Sequence, residues 1–202
     1  MTDVLLPTTK LDAVNLMLVS IGQTPLNSLD TTGIRSAAIA ELDLDMVTRS
    51  VLSRGWSFNT DKEFEIAPDV SDNILVPSNA LSTVPTYDYN DFVVRDNSGT
   101  LMMYDRDENS FDITTTEKYT IIRAVNFDQT PEAFRGYVAT RAARLFQSHV
   151  IASDILYRYT SQHENEALAT LTKAERRAKK TNIFRKGTGA NAAIHRSWNP
   201  ST

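Results

Sequence analysis

Ser53-Arg54-Gly55-Trp56-Ser57-Phe58-Asn59 divides the 202-residue chain. Two segments with helical periodicity precede it, and short strand-like runs broken by turns follow it. Gly55 suits the positive φ that closes a helix just past its cap. Trp56 and Phe58 are separated by one residue, so on an extended chain both rings face the same side and plug one end of a core. Gly55, Trp56 and Phe58 thus read as a structural pivot. No catalytic chemistry is visible in the stretch.

Upstream, Thr9-Lys10-Leu11-Asp12 has the form of a capping box, with Thr9 as N-cap and Asp12 in the third helical position. The helix it opens carries Leu11, Val14, Leu18 and Ile21 at spacings of three and four. Leu16, Met17 and Val19 widen this apolar surface, which predicts a largely buried helix. Gly22, a second structural pivot, closes it, and Pro25 prevents a restart. Residues 23–33 are rich in turn formers, with Leu26 and Leu29 folding back onto the helices. A longer helix is expected over 34–54, with Ala37, Ala40, Leu44, Val47 and Val51 on one face and Ala38, Leu42 and Met46 in a second row. Its small Ala residues allow close approach of another helix, from the same subunit or the next.

Downstream, the alternation predicts short antiparallel strands at 63–66, 73–76, 92–95, 101–104, 111–114 and 118–123. Asp96-Asn97-Ser98-Gly99 is a tight-turn signal, and 105–110 is a polar connection. Residues 77–90, with Pro77, Pro85, Tyr87 and Tyr89, read as a protruding irregular loop. Helical periodicity returns at Thr130-Pro131-Glu132, where Thr130 is the expected cap and Pro131 the first helical residue. Phe134, Val138, Ala142, Leu145 and His149 share one face, which makes His149 a core or interface side chain. After a break at 152–154, a last helix over 155–180 has a thin apolar side of Leu156, Tyr159, Ala167, Leu171, Ala174 and Ala178. From 181 the pattern fails.

This order predicts an α+β fold. An antiparallel helical bundle is assembled from 1–55 and 131–180. A small antiparallel β-region, 56–130, is inserted between the second and third long helices. A flexible C-terminal tail, 181–202, holds Phe184, Arg185, Lys186, Arg196 and Trp198. A Trp near the end of such a tail reads as an anchor into a partner surface.

The 41% hydrophobic and 23% charged content supports an ordinary packed core. Without cysteine there is no disulfide, thiolate metal site or cysteine nucleophile. The first residues show no basic and apolar signal pattern, and no apolar run approaches the length of a membrane span, so no membrane partner is expected and synthesis in a cytoplasm is. The net charge of −4 conceals a polarity: residues 1–130 hold nine Lys and Arg against twenty Asp and Glu, a net of −11, while 131–202 hold twelve against five, a net of +7. Such a split suits a nucleic-acid-facing tail or subunits that meet neighbours of opposite sign.

No catalytic constellation emerges. Asp105-Arg106-Asp107-Glu108-Asn109 offers oxygens at alternate positions as a calcium loop does, but Ser110 stands where glycine is needed and Thr116 where glutamate is. His149, His163 and His195 lack metal-ligand spacing. Nucleophile-elbow, phosphate-loop and dinucleotide patterns are missing, and Glu63 and Glu65 alternate as a solvated strand face does. Neither a cofactor nor a metal is expected. Lys173, Arg176, Arg177, Lys179 and Lys180 form a basic cluster on the last helix that can meet phosphate backbones. Glu164, Glu166 and Glu175 interrupt it and no aromatics interleave, so a protein contact or a nonspecific attraction to passing DNA fits as well.

Three short stretches go further together than alone: Ser20-Ile21-Gly22-Gln23-Thr24-Pro25, Ser53-Arg54-Gly55-Trp56-Ser57-Phe58-Asn59 and Pro131-Glu132-Ala133-Phe134-Arg135. In this order and spacing the chain resembles the tail tubular protein A family of short-tailed bacteriophages over residues 11–180. The resemblance implies a non-enzymatic adaptor of the virion, a head-to-tail connector. Its implied partners are the portal protein, a tail nozzle of the tail tubular protein B type and further copies of itself in a ring of twelve, with DNA passing through the lumen without sequence specificity. The motifs are structural, so no catalytic residue is carried over, and a muralytic activity suggested within the family finds no site here. The residues by themselves also leave open a nucleic-acid-binding module using the basic helix and tail, or a cell-wall hydrolase.

Overall fold

The computed structural model describes residues 6–30, 34–87, 91–151 and 154–179. Helix α1 (Lys10–Ser20) opens with the capping box: the Thr9 hydroxyl accepts from Asp12 N, and Asp12 Oδ2 accepts from Thr9 N at 2.9 Å. It closes at Gly22, φ +78°, where Gly22 N donates to Val19 O at 2.9 Å and Gln23 N to Leu18 O at 3.0 Å, the paired bonds of a Schellman end. Helix α2 (Arg35–Leu52) follows, and Gly55 beyond it takes φ +73°.

The chain then builds β1 (Thr60–Ile66), β2 (Ala80–Pro85), β3 (Phe92–Asn97), β4 (Thr100–Asp105) and β5 (Glu117–Arg123) before a 3-10 turn, Phe127–Gln129, leads into α3 (Glu132–Ile151) and α4 (Asp154–Ala178). Strands β1, β5 and β2 form an antiparallel sheet in that order, and β3 and β4 a separate hairpin. Ser98 and Gly99, both at positive φ, join the hairpin as its twist requires. The molecule is therefore mixed α+β, with the strands inserted between α2 and α3.

Two apolar clusters result. The larger gathers Met17 and Leu18 of α1, Leu44, Val47 and Val51 of α2, and Phe134, Val138, Ala142 and Phe146 of α3, with Leu171 of α4 and Trp56 at its edge. Helix α3 touches each of the other three helices. The smaller cluster lies between sheet and hairpin: Ile74, Phe92, Met103, Ile113, Tyr119 and Ile121.

Several expectations change. Residues 80–85 are a strand, not part of an irregular loop. Strand β2 lies at a sheet edge, where its only ladder is to β5 and Pro85 at its last position breaks nothing. Residues 73–76 and 111–114 form no named strands: Asn73 meets Asp112 and Leu75 meets Met102 only as isolated bridges. Trp56 and Phe58 lie in a turn rather than on extended chain, since Asn59 N donates back to Trp56 O at 3.1 Å. Thr130 directs its hydroxyl to Phe127 O at 2.7 Å, so it closes the preceding turn. Pro131 stands just before α3, and its carbonyl accepts from Phe134 N and Arg135 N. Leu16 and Val19 face outward, leaving α1 only half covered, and Leu42 and Met46 of the second row on α2 do the same. His149 is exposed and reaches back to Asp43, with Nδ1 3.4 Å from Oδ2.

Candidate assembly surfaces

The second and third quoted stretches meet. Trp56 and Phe58 both meet the Phe134 ring edge-on, with centroids 6.3 and 5.1 Å apart. The Trp56 indole donates to Val51 O at 2.7 Å. Arg135 clamps three carbonyls, those of Thr130 (2.7 Å), Thr8 (2.8 Å) and Asp128 (2.5 Å), while the Glu132 carboxylate accepts from Thr8 N and Oγ1. The first stretch lies apart from them, toward the other end of α3, where the Gln147 amide donates to Ser20 O at 3.1 Å. Gly55 has a second constraint besides its φ: a β-carbon there would stand 2.9 Å from Ile122 Cδ1. The pivot thus packs the end of α2 directly against β5.

Asn59 completes that junction. Its buried side chain donates to Leu52 O (3.1 Å) and Arg123 O (2.8 Å) and accepts from Trp56 N (2.8 Å). Helix α4 is held at both described ends. Glu164, nearly buried, forms an ion pair with Arg144 and lies 3.6 Å from Arg141 of α3. Glu175 accepts from Ser57 N (2.9 Å) and Oγ (2.8 Å) and pairs with Lys179. Burial pulls the Glu175 pKa upward, but the bonds from Lys179 and Ser57 outweigh it, so the carboxyl sits below its ordinary value.

The basic residues Lys173, Arg176 and Arg177 are exposed on α4, and Lys179, exposed just past its end, is committed to Glu175. Lys180 and the tail residues Phe184, Arg185, Lys186, Arg196 and Trp198 lie outside the described residues. Among the described residues no three His, Cys, Asp or Glu side chains gather as metal ligands. Asp105 instead organises its own loop, its Oδ1 accepting from Asp107 N and Glu108 N. No helix among the described residues is long and apolar enough to cross a membrane.

A model of the tail tubular protein family matches residues 11–181. The chain belongs to the tail tubular protein family. Its role is accordingly structural, in a phage tail, and the virion is where that role is exercised. Among curated proteins nothing matches the chain.

Two surfaces of this tail tubular protein go beyond the sequence reading, which placed Ala38, Leu42 and Met46 in a second apolar row without showing that the row is uncovered. On α2, Arg35, Ala38, Leu42, Met46 and Arg49 follow at spacings of three or four and share the outward side. Beside its start, Ile21, Gln23, Arg35, Ser36, Ile39 and Phe146 line a shallow pocket of about 330 Å³. In the β-region, a groove of about 340 Å³ runs between β2 and β3, lined by Val76, Leu81, Thr83, Val84, Val93 and Leu101 among others. Alternation alone could not reveal this groove, because it depends on the two strand edges meeting in space.

Proposed function

We propose that this tail tubular protein is the head-to-tail adaptor of a short-tailed phage, a ring of twelve subunits joining the portal to the tail nozzle and continuing the DNA channel. The observation that carries the reading is the family match across 11–181, supported by the charge polarity of the chain. An adaptor meets one ring above and another below, so opposite signs at its two ends suit it, and heterologous side-to-side packing closes the ring. Within this reading the chain divides into a helical unit of 1–55 and 131–180, arranged as an antiparallel bundle, an inserted β-unit of 56–130 and a tail of 181–202.

The last helix and tail dock on the portal, with Phe184, Arg185, Lys186, Arg196 and Trp198 as contacts. The β-unit faces the nozzle or a neighbouring subunit. Lys173, Arg176 and Arg177 add a positive field that attracts DNA without reading its sequence. The protein performs no catalysis in this role. Deleting residues 181–202 is expected to abolish binding to the portal protein in light scattering while the circular dichroism of the chain stays that of a folded protein. Unchanged portal binding by the truncated chain would overturn the assignment of the tail.

A further inference from the structure

A helix face that carries large apolar side chains in water requires a cover, and the outward side of α2 is such a face. Leu42 is 58% and Met46 49% exposed, and they stand one turn apart. Arg35 and Arg49 bracket them at either end of a line about 21 Å long at 1.5 Å rise per residue. Neither guanidinium makes an ion pair or side-chain hydrogen bond among the described residues. Met and Arg at the centre and ends of an exposed patch are the composition of a protein interface, not of a solvated helix. The pocket floored by Phe146 opens beside Arg35 and Ile39 and extends this face toward α1.

The complementary surface is on the same chain but elsewhere. The groove between β2 and β3 is walled by apolar side chains, and Val84 and Leu101 at its rim are 50% and 46% exposed. The surrounding insertion, residues 56–130, holds fourteen Asp and Glu against five Lys and Arg, a net of −9. An apolar line ended by exposed arginines matches an apolar groove in an acidic insertion, in polarity and in sign. The two surfaces lie on different units of the fold, so a contact between them joins different patches of two copies. Repeated, that contact propagates around a ring.

We propose that the Leu42 and Met46 face of α2 docks into the β2–β3 groove of a second copy of this chain, with Arg35 and Arg49 meeting carboxylates of its insertion. This contact rests on the ring reading above and specifies its lateral interface. The cysteine-free sequence permits a direct test. Full-length Leu42→Cys and Val84→Cys chains are mixed, with and without the portal protein, treated with a short bismaleimide and run on a denaturing gel. A covalent dimer is expected from the mixture, and none above background from either variant alone. The double variant should give a ladder. Leu42→Glu, at an exposed position, should keep the wild-type melting temperature but lose assembly at concentrations where the wild type is fully assembled.

A dimer from Leu42→Cys alone would mean that two α2 faces meet each other, and would overturn the proposal. So would assembly of the wild type with no crosslink in the mixture, an outcome that leaves the ring standing. A wild-type chain that stays monomeric both alone and with the portal protein would remove the ring itself, and this contact with it.

Discussion

Trp56 is 9% exposed, its indole N–H is bonded to Val51 O, and its ring stands edge-on to Phe134. Truncation to alanine leaves a cavity beside Phe134, so Trp56→Ala should cost about 3–5 kcal/mol in denaturant unfolding. Assembly should fail only as far as the fold does. A variant as stable as its parent that fails to assemble would make Trp56 an interface residue instead. Tyr119 is the opposite case, a fully buried ring whose hydroxyl has no hydrogen-bond partner among the described residues. Burial, and secondarily the Glu117 carboxylate, pushes its phenol well above the ordinary value. Below about pH 10 both folded and unfolded chains keep the phenolic proton; above it the unfolded chain loses that proton first, so stability falls as pH rises. Tyr119→Phe removes both the orphan hydroxyl and this alkaline loss. It should be as stable as the parent or more so at neutral pH, by up to about 1–2 kcal/mol, with a flatter decline above pH 10; a destabilised variant would mean that the hydroxyl has a partner.

Elements were legible where their ends carry local chemistry. The Thr9 and Asp12 box, Gly22, Gly55 and the Ser98-Gly99 turn all act through backbone geometry within a few residues, and each marks the boundary it was expected to mark. Strand β2 was hidden because Pro77 and Pro85 signal irregularity, whereas an edge strand tolerates proline at its end. The outward side of α2 was hidden for a different reason: periodicity finds apolar rows but does not say which row is covered. The attachment of α4 was hidden too, since Glu164 looked like an interruption of a basic helix. It is the partner of Arg144 and Arg141, all three partly or nearly buried. Glu164→Ala removes the carboxylate that faces both arginines in a partly buried site and should cost about 2–4 kcal/mol, somewhat below the figure for a fully buried pair. Hydrogen exchange should show faster loss of protection in α4 than in α1. Equal protection in variant and parent would show that apolar contacts such as Leu171 hold the helix unaided.

At the scale of the molecule, one side chain bonds the ends of both α2 and β5. The helical and sheet clusters share no buried residue, and the end of α2 meets the end of β5 through Asn59, which bonds Leu52 O, Arg123 O and Trp56 N at once. Arg123 N returns a bond to Asn59 O at 2.8 Å, and Gly55 lets Ile122 close against the turn. In the proposed ring this stiffness matters, because a contact made by the strand region of one subunit orients the helices of the next only if the two move together. Asn59→Ala leaves two acceptors and a donor without this partner at a buried site, so it should cost about 2–4 kcal/mol. Beyond that loss, it should uncouple the cores. In a Trp198→Phe background, Trp56 fluorescence reports the helical core alone, while amide exchange of Tyr119 and Ile121 reports the sheet. The parent should lose both signals at one denaturant concentration, and Asn59→Ala should lose the sheet signal first. Coincident transitions in the variant, at an unchanged midpoint, would mean that the packing of Gly55 on Ile122 couples the units without the amide.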